Sequence, residues 1–230
     1  MRIFKALLVV ALFAVPSFAQ DVFQVGDAGF VIPGNNWPGG ENPTFVIDGF
    51  GQKYLNFGQE NTGFIVTPSL GSTVATSLQL WAANDAVERD PASYQVWGTN
   101  ATAPAGFGSP GDTLPISAFT PISVGDLALP DTRNAGGDAA LEDANSQTIT
   151  FENTDAYSSY LVVFPTVKDI GAANSMQIAE VQLFDAAGGG IFAPGDAIVG
   201  GQVVPEPSSG LLGAMSLLSI MLFVRKRRNK

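Results

Sequence analysis

Tyr160–Phe184 reads YLVVFPTVKDIGAANSMQIAEVQLF, two apolar runs split by a Pro/Gly/Asn/Ser turn. Tyr160 to Phe164 is apolar on both faces, as a strand inside a sheet would be. From Met176 to Phe184 the pattern alternates, with Ala179, Val181 and Leu183 on one face. Upstream, Val74, Thr76, Leu78 and Leu80 form one face of residues 73–80, and Gln147 to Phe151 alternates with Ile149 and Phe151 inward. Short strands are expected at Phe45–Ile47, Gly63–Thr67, Tyr94–Trp97 and Phe119–Val124. Residues 101–117 read as a long internal loop. No stretch of the body offers an amphipathic helix of three turns, and no internal repeat is visible. Many short strands punctuated by Gly, Pro, Asn and Asp predict an all-β sandwich.

Composition narrows the chemistry. The chain has 230 residues, 26 of them Gly and 15 Pro, with no Cys and no His. Disulfides, thiolate nucleophiles, thiolate metal centres and histidine relays are therefore excluded. Residues 20–204 carry only Lys53, Arg89, Arg133 and Lys168 as bases, against 20 of the 21 acids. So acidic a body repels phosphate backbones, so no nucleic-acid partner is expected.

The remaining bases lie at the two ends. Arg2 and Lys5 precede the apolar run Ala6–Val15, and Ser17-Phe18-Ala19 is a small-x-small cleavage site. Residues 1–19 read as a secretory signal peptide, cleaved after Ala19. At the other end Ser208 to Val224 is uncharged over 17 residues, about 25 Å as a helix at ~1.5 Å per residue. The Arg225-Lys226-Arg227-Arg228 cluster would stop it on the cytoplasmic side of the membrane. Between body and helix, residues 186–204 read as a Gly/Pro-rich linker.

Pro205-Glu206-Pro207, then an apolar helix over 208–224, then basic residues, resembles the PEP-CTERM sorting signal over 205–230. That resemblance implies an exosortase as membrane partner and delivery to a bacterial envelope, cell surface or extracellular matrix. An ordinary single-pass anchor is the plainer alternative. In the body, Ile47-Asp48-Gly49, Lys53-Tyr54, residues 78–100, Leu129–Asn134 and the closing Gln177-Ile178-Ala179-Glu180 strand come in a telling order. It resembles the discoidin-like (F5/8 type C) galactose-binding jelly roll, expected over residues 20–185.

That resemblance implies a structural Ca²⁺ held by Asp48 and Glu180, since hard oxygen ligands suit that cation. Phe50 and Gln52 stand where further ligands are common in the family. Otherwise Asp48 caps a turn and Glu180 is a solvated strand residue. For a glycan, the candidate ligand-binding residues are Trp37, Asn84, Asp85 and Arg89. A flat ring stacks on a sugar face while amides and a guanidinium read hydroxyls. Tyr54, Trp81 and Trp97 are further aromatics, the two tryptophans being expected in the core. Alternatively Arg89 pairs with Asp85 or Asp90 and pins its loop. Asp131, Asp138, Glu142 and Asp143 surround Arg133 in sequence without a spacing that picks out an acid and a nucleophile. The expectation is a non-catalytic carbohydrate-binding surface protein. A structural or adhesive envelope protein is the alternative, and a secreted glycoside hydrolase a distant one.

Overall fold

The computed structural model describes residues 20–31, 36–101, 116–185, 197–199 and 202–204. The signal peptide (1–19), most of the linker, and the sorting motif Pro205-Glu206-Pro207 with its helix (208–224) lie outside the described residues, as does most of the loop read at 101–117. No helix among the described residues is long and apolar enough to cross a membrane.

The expected all-β sandwich is what forms. Among the described residues ten strands build it: β1 (Ala28–Val31), β2 (Tyr54–Asn56), β3 (Thr62–Thr67), β4 (Ser77–Trp81), β5 (Ser93–Thr99), β6 (Thr120–Asp126), β7 (Ser146–Thr150), β8 (Ser159–Phe164), β9 (Met176–Ile178) and β10 (Glu180–Phe184). One antiparallel sheet runs in the order β1-β3-β8-β5-β6 and another in the order β10-β4-β7, while β2 pairs with β9. Within the linker, β11 (Ala197–Val199) and β12 (Gln202–Val204) pair antiparallel.

The core follows from the patterning. β8 lies between β3 and β5 and is apolar on both faces for that reason. Its Tyr160, Val162 and Phe164 join the main core with Val66, Leu78, Leu80, Val96, Val181 and Leu183. Leu161 instead packs with Ile65, Phe119 and Trp97 on the opposite face. Ile149 and Phe151 lean onto the main core, as the alternation of residues 147–151 predicts.

Three expectations are corrected. Phe45–Ile47 is not a strand: Pro43–Ile47 forms a 3-10 helix. Asn42 caps it, its Oδ1 accepting from Thr44 N–H at 3.0 Å, and Pro43 opens it with a preset φ. The run from 73 to 80 is not one alternating strand, because Ala75 joins the core with Leu78 and Leu80 and the ladder begins at Ser77. Met176–Phe184 is two strands. Ile178 and Val181 both face the core, and the break at Ala179 shifts the phase that a single strand would keep.

Candidate functional site

Glu180 lies on the face of β10 opposite to Val181 and Leu183, which join the main core. Glu180 faces Trp81 across the β10–β4 ladder and is only 4% exposed. It is thus not the solvated strand residue of the plainer reading. Its Oε2 accepts from Gly49 N–H at 3.1 Å, so it latches the Asp48-Gly49 turn. Gly49 takes φ +80°, which glycine adopts without strain. Asp48 Oδ1 in turn accepts from Phe50 N–H at 2.8 Å.

The two predicted metal-ligating carboxylates therefore stand together. Burial, and then the neighbouring Asp48 and Asp21, hold the Glu180 carboxyl well above its usual range. Burial and Asp138 push Asp48 up to about 6 against the backbone hydrogen bond from Phe50. No Lys or Arg among the described residues pairs with either. Two close carboxylates lacking a base have the donor chemistry of a cation site. No group of three or more such side chains is assembled among the described residues.

The loop 84–90 sits elsewhere on the same framework. Gln177 Nε2, on β9, donates to the carbonyls of Asp85 (2.5 Å) and Ala86 (3.0 Å). Asp169 N–H donates to Glu88 O at 3.1 Å. Val87–Arg89 closes as a 3-10 turn after Ala86, whose φ is +38°. Asn84 and Asp85 are exposed, and Asn84 lies against Gly136.

The expected pairing of Arg89 with Asp85 or Asp90 does not occur. Asp85 Oδ2 takes Lys53 Nζ at 2.7 Å, and Lys53 also reaches Glu41 at 3.3 Å. Asp90 is fully buried and binds Arg133 and Lys168. The other three bases of the body are thus engaged. The half-buried Arg89 side chain has no ion-pair or hydrogen-bond partner among the described residues.

The aromatics also differ from expectation. Trp37 is half-buried and packs against the main core, so it is not a free stacking platform. Tyr54 is fully buried and hydrogen-bonded to Asn56. Trp81 is buried as expected, and Trp97 is half-buried over the outer cluster. Two rings are exposed among the described residues: Phe50, at 45%, in the turn that Glu180 latches, and Phe57, at 51%, just after β2. Phe57 N–H donates to Asn36 O at 3.0 Å, and Gln59 two residues on donates to Ala173 O at 2.6 Å. Both the Phe57 loop and the Arg89 loop are thus tied to β9 and the segment preceding it. Phe57 was not singled out from sequence. The turn after it, Gly58-Gln59-Glu60-Asn61, was the available signal.

Arg133 does not organise a carboxylate pair for hydrolysis. Its guanidinium is spent on Asp90, and Glu142 Oε2 accepts from Asn145 at 3.0 Å.

No family model and no curated protein matches the chain. Solved structures do resemble it. A structure of the Streptococcus pneumoniae β-galactosidase BgaA superposes with TM-score 0.51 at 14% identity, covering 73% of this chain and 98% of that one. A family 32 carbohydrate-binding module of Clostridium perfringens NanJ, solved in complex with galactose, gives TM-score 0.49 at 10% identity over 73% of this chain and 99% of the module. Another C. perfringens module, solved with GalNAc-β-1,3-galactose, gives 0.47 at 15% identity, over 71% of this chain and 98% of that one. The likeness to the BgaA structure is one of fold alone, an all-β sandwich of antiparallel sheets.

Proposed function

We propose that this chain is an exported, non-catalytic carbohydrate-binding protein of a bacterial cell surface or extracellular matrix, exopolysaccharide being its natural ligand class. The observation that carries the reading is Arg89: in a body with four bases, it is the one left without a partner among the described residues. A half-buried planar guanidinium offers a preorganised fork to sugar hydroxyls or a carboxylate. Asn84 adds amide donors on the same loop, Asp85 an acceptor already oriented by Lys53, and Phe57 an exposed ring for the apolar face of a sugar. The jelly-roll likeness supports this assignment, since such a fold presents loops at its ends.

The same reading includes a structural Ca²⁺ at Asp48 and Glu180. The cation would offset the cost that burial and mutual repulsion place on charging these carboxylates and would stiffen the turn that Glu180 latches. It also includes sorting by an exosortase through Pro205-Glu206-Pro207, with the 208–224 helix holding the protein in the membrane until processing.

One observation favours the alternative of a structural or adhesive envelope protein. The packing of Trp37 onto the core removes the aromatic that would have stood out as a sugar platform. A glycan-array screen of the exported protein, with and without Ca²⁺, separates the two. Saturable binding to one sugar class, lost in Arg89→Ala and in Phe57→Ala with the β spectrum unchanged, is the expected result. A folded protein that binds no glycan would transfer the assignment to the structural reading.

A further inference from the structure

Residues 20–22 run along β10. Val22 N–H donates to Leu183 O at 2.7 Å, Asp21 bridges Phe184, and Asp185 N–H donates to Gln20 O at 3.1 Å. At the start of this segment Gln20 N–H donates to the Asp185 carboxylate, Oδ1, at 2.7 Å. Gln20, Asp21 and Asp185 line one cleft of about 370 Å³, together with Leu70, Ser72 and Thr73. No Lys or Arg among the described residues pairs with Asp21 or Asp185.

The sequence places signal-peptide cleavage between Ala19 and Gln20. Hydrolysis of that amide consumes one water, leaves a carboxylate on Ala19, and converts the Gln20 N–H into an α-ammonium. The nitrogen that acquires the charge is the one already 2.7 Å from a carboxylate oxygen. A charged donor there makes a stronger bond than the neutral amide does.

We propose that the α-ammonium of Gln20, created by export processing, forms an ion pair with Asp185 beside Asp21 and so fastens the N-terminal segment to the last strand of the sandwich. The carboxylates beside this nitrogen are those of Asp185, which accepts its N–H, and Asp21, which lines the same cleft. Processing is then a folding event as well as a release event. The inference rests on cleavage after Ala19 and is independent of whether a glycan binds.

A second consequence concerns the glutamine itself. An N-terminal glutamine cyclises when its unprotonated α-amine attacks its own side-chain Cδ, closing a lactam and expelling ammonia. An ammonium held by Asp185 has no lone pair for that attack. The folded protein is therefore expected to cyclise Gln20 more slowly than a chain lacking that carboxylate.

Mass spectrometry of the exported protein tests the premise: a mature N-terminus other than residue 20 overturns the clasp and leaves the glycan reading untouched. The clasp is then tested by comparing the chain that begins at Gln20 with one that retains Ala19. The retained residue keeps the Gln20 N–H and moves the charge away. The chain beginning at Gln20 is expected to melt about 1–3 °C higher at low salt, as suits one exposed ion pair in a domain of this size. That difference disappears in Asp185→Asn and in high salt. Equal melting of the two chains, or a difference that survives Asp185→Asn, would overturn the proposal. Independently, loss of ammonia from Gln20, followed by mass, should be several-fold faster in Asp185→Asn than in the parent. Equal rates count against the clasp.

Discussion

Asp90, with none of its side chain exposed, is gripped by Arg133: Nη1 and Nη2 each lie 2.8 Å from one of its carboxylate oxygens. Lys168 Nζ adds a third contact at 3.1 Å. The pair joins the loop after β4 to the loop after β6, positions 43 residues apart. It also explains why Arg89, next to Asp90 in sequence, is left over. The first prediction follows from the burial. Arg133→Ala strands a buried carboxylate with one remaining cation and should cost about 3 kcal/mol, read from urea denaturation. A loss under 1 kcal/mol would mean that the pair does not hold these loops.

Two glycines sit where a methyl group cannot. A Cβ on Gly51 would lie 1.9 Å from the carbonyl oxygen of Ala135, and one on Gly98 would lie 2.3 Å from the Tyr157 ring. Gly51→Ala and Gly98→Ala should each destabilise the fold by about 2–3 kcal/mol through forced backbone or ring displacement. Gly39→Ala, with nothing within 4 Å of its added carbon, is the control and should melt like the parent.

The carboxylates set the pH response. Asp21 and Asp48 are each raised from 3.8 to about 6, chiefly by burial, and Glu180 is held higher than usual by the same cause. A raised carboxyl keeps its proton in the folded state at a pH where the unfolded chain has lost it. Its contribution is therefore full below about pH 4 and is lost as pH rises through about 6 and beyond. Asp131, held low by Lys168, acts in the opposite sense from a fully exposed position. In chelator, the urea midpoint should fall between pH 4 and pH 7. With Ca²⁺ present that fall should shrink, and Glu180→Gln should abolish the calcium effect. An identical pH profile with and without Ca²⁺ would remove the cation from the proposed function.

Trp37 and Arg89 should separate in their effects. Trp37 packs on the core, so Trp37→Ala should cost about 1–3 kcal/mol of stability. Arg89 has no ion-pair or hydrogen-bond partner among the described residues to lose, so Arg89→Ala should leave the melting temperature within about 1 °C, while weakening glycan binding. Paired calorimetry and binding titrations of the two variants check this split.

Much of the sandwich was legible because strand burial repeats every two residues. β8 read as a central strand from its continuous apolar run, and β7 from Ile149 and Phe151. The closeness of Asp48 to Glu180 was legible only through the family resemblance. β1 and β2 were missed, being three or four residues long with no clear alternation. The single strand expected over 176–184 failed because periodicity registers a face and passes over a one-residue shift. The burial of Glu180 was hidden for another reason: the Asp48-Gly49 turn that meets its carboxylate lies 131 residues away in the chain.

The roster of charges and absent residue types, the all-β class and the two terminal address patterns all follow from order along the chain. Each depends on composition or on neighbours a few residues apart. Which base meets which acid does not. Lys53 finds Asp85 32 residues away, and Arg133 finds Asp90 rather than any of the acids flanking it in sequence. Those choices were made by the sandwich, which brings distant loops to one end and lets the most buried carboxylate, the one that loses most by being left alone, claim the strongest partners. Arg89 is available because that competition ended without it.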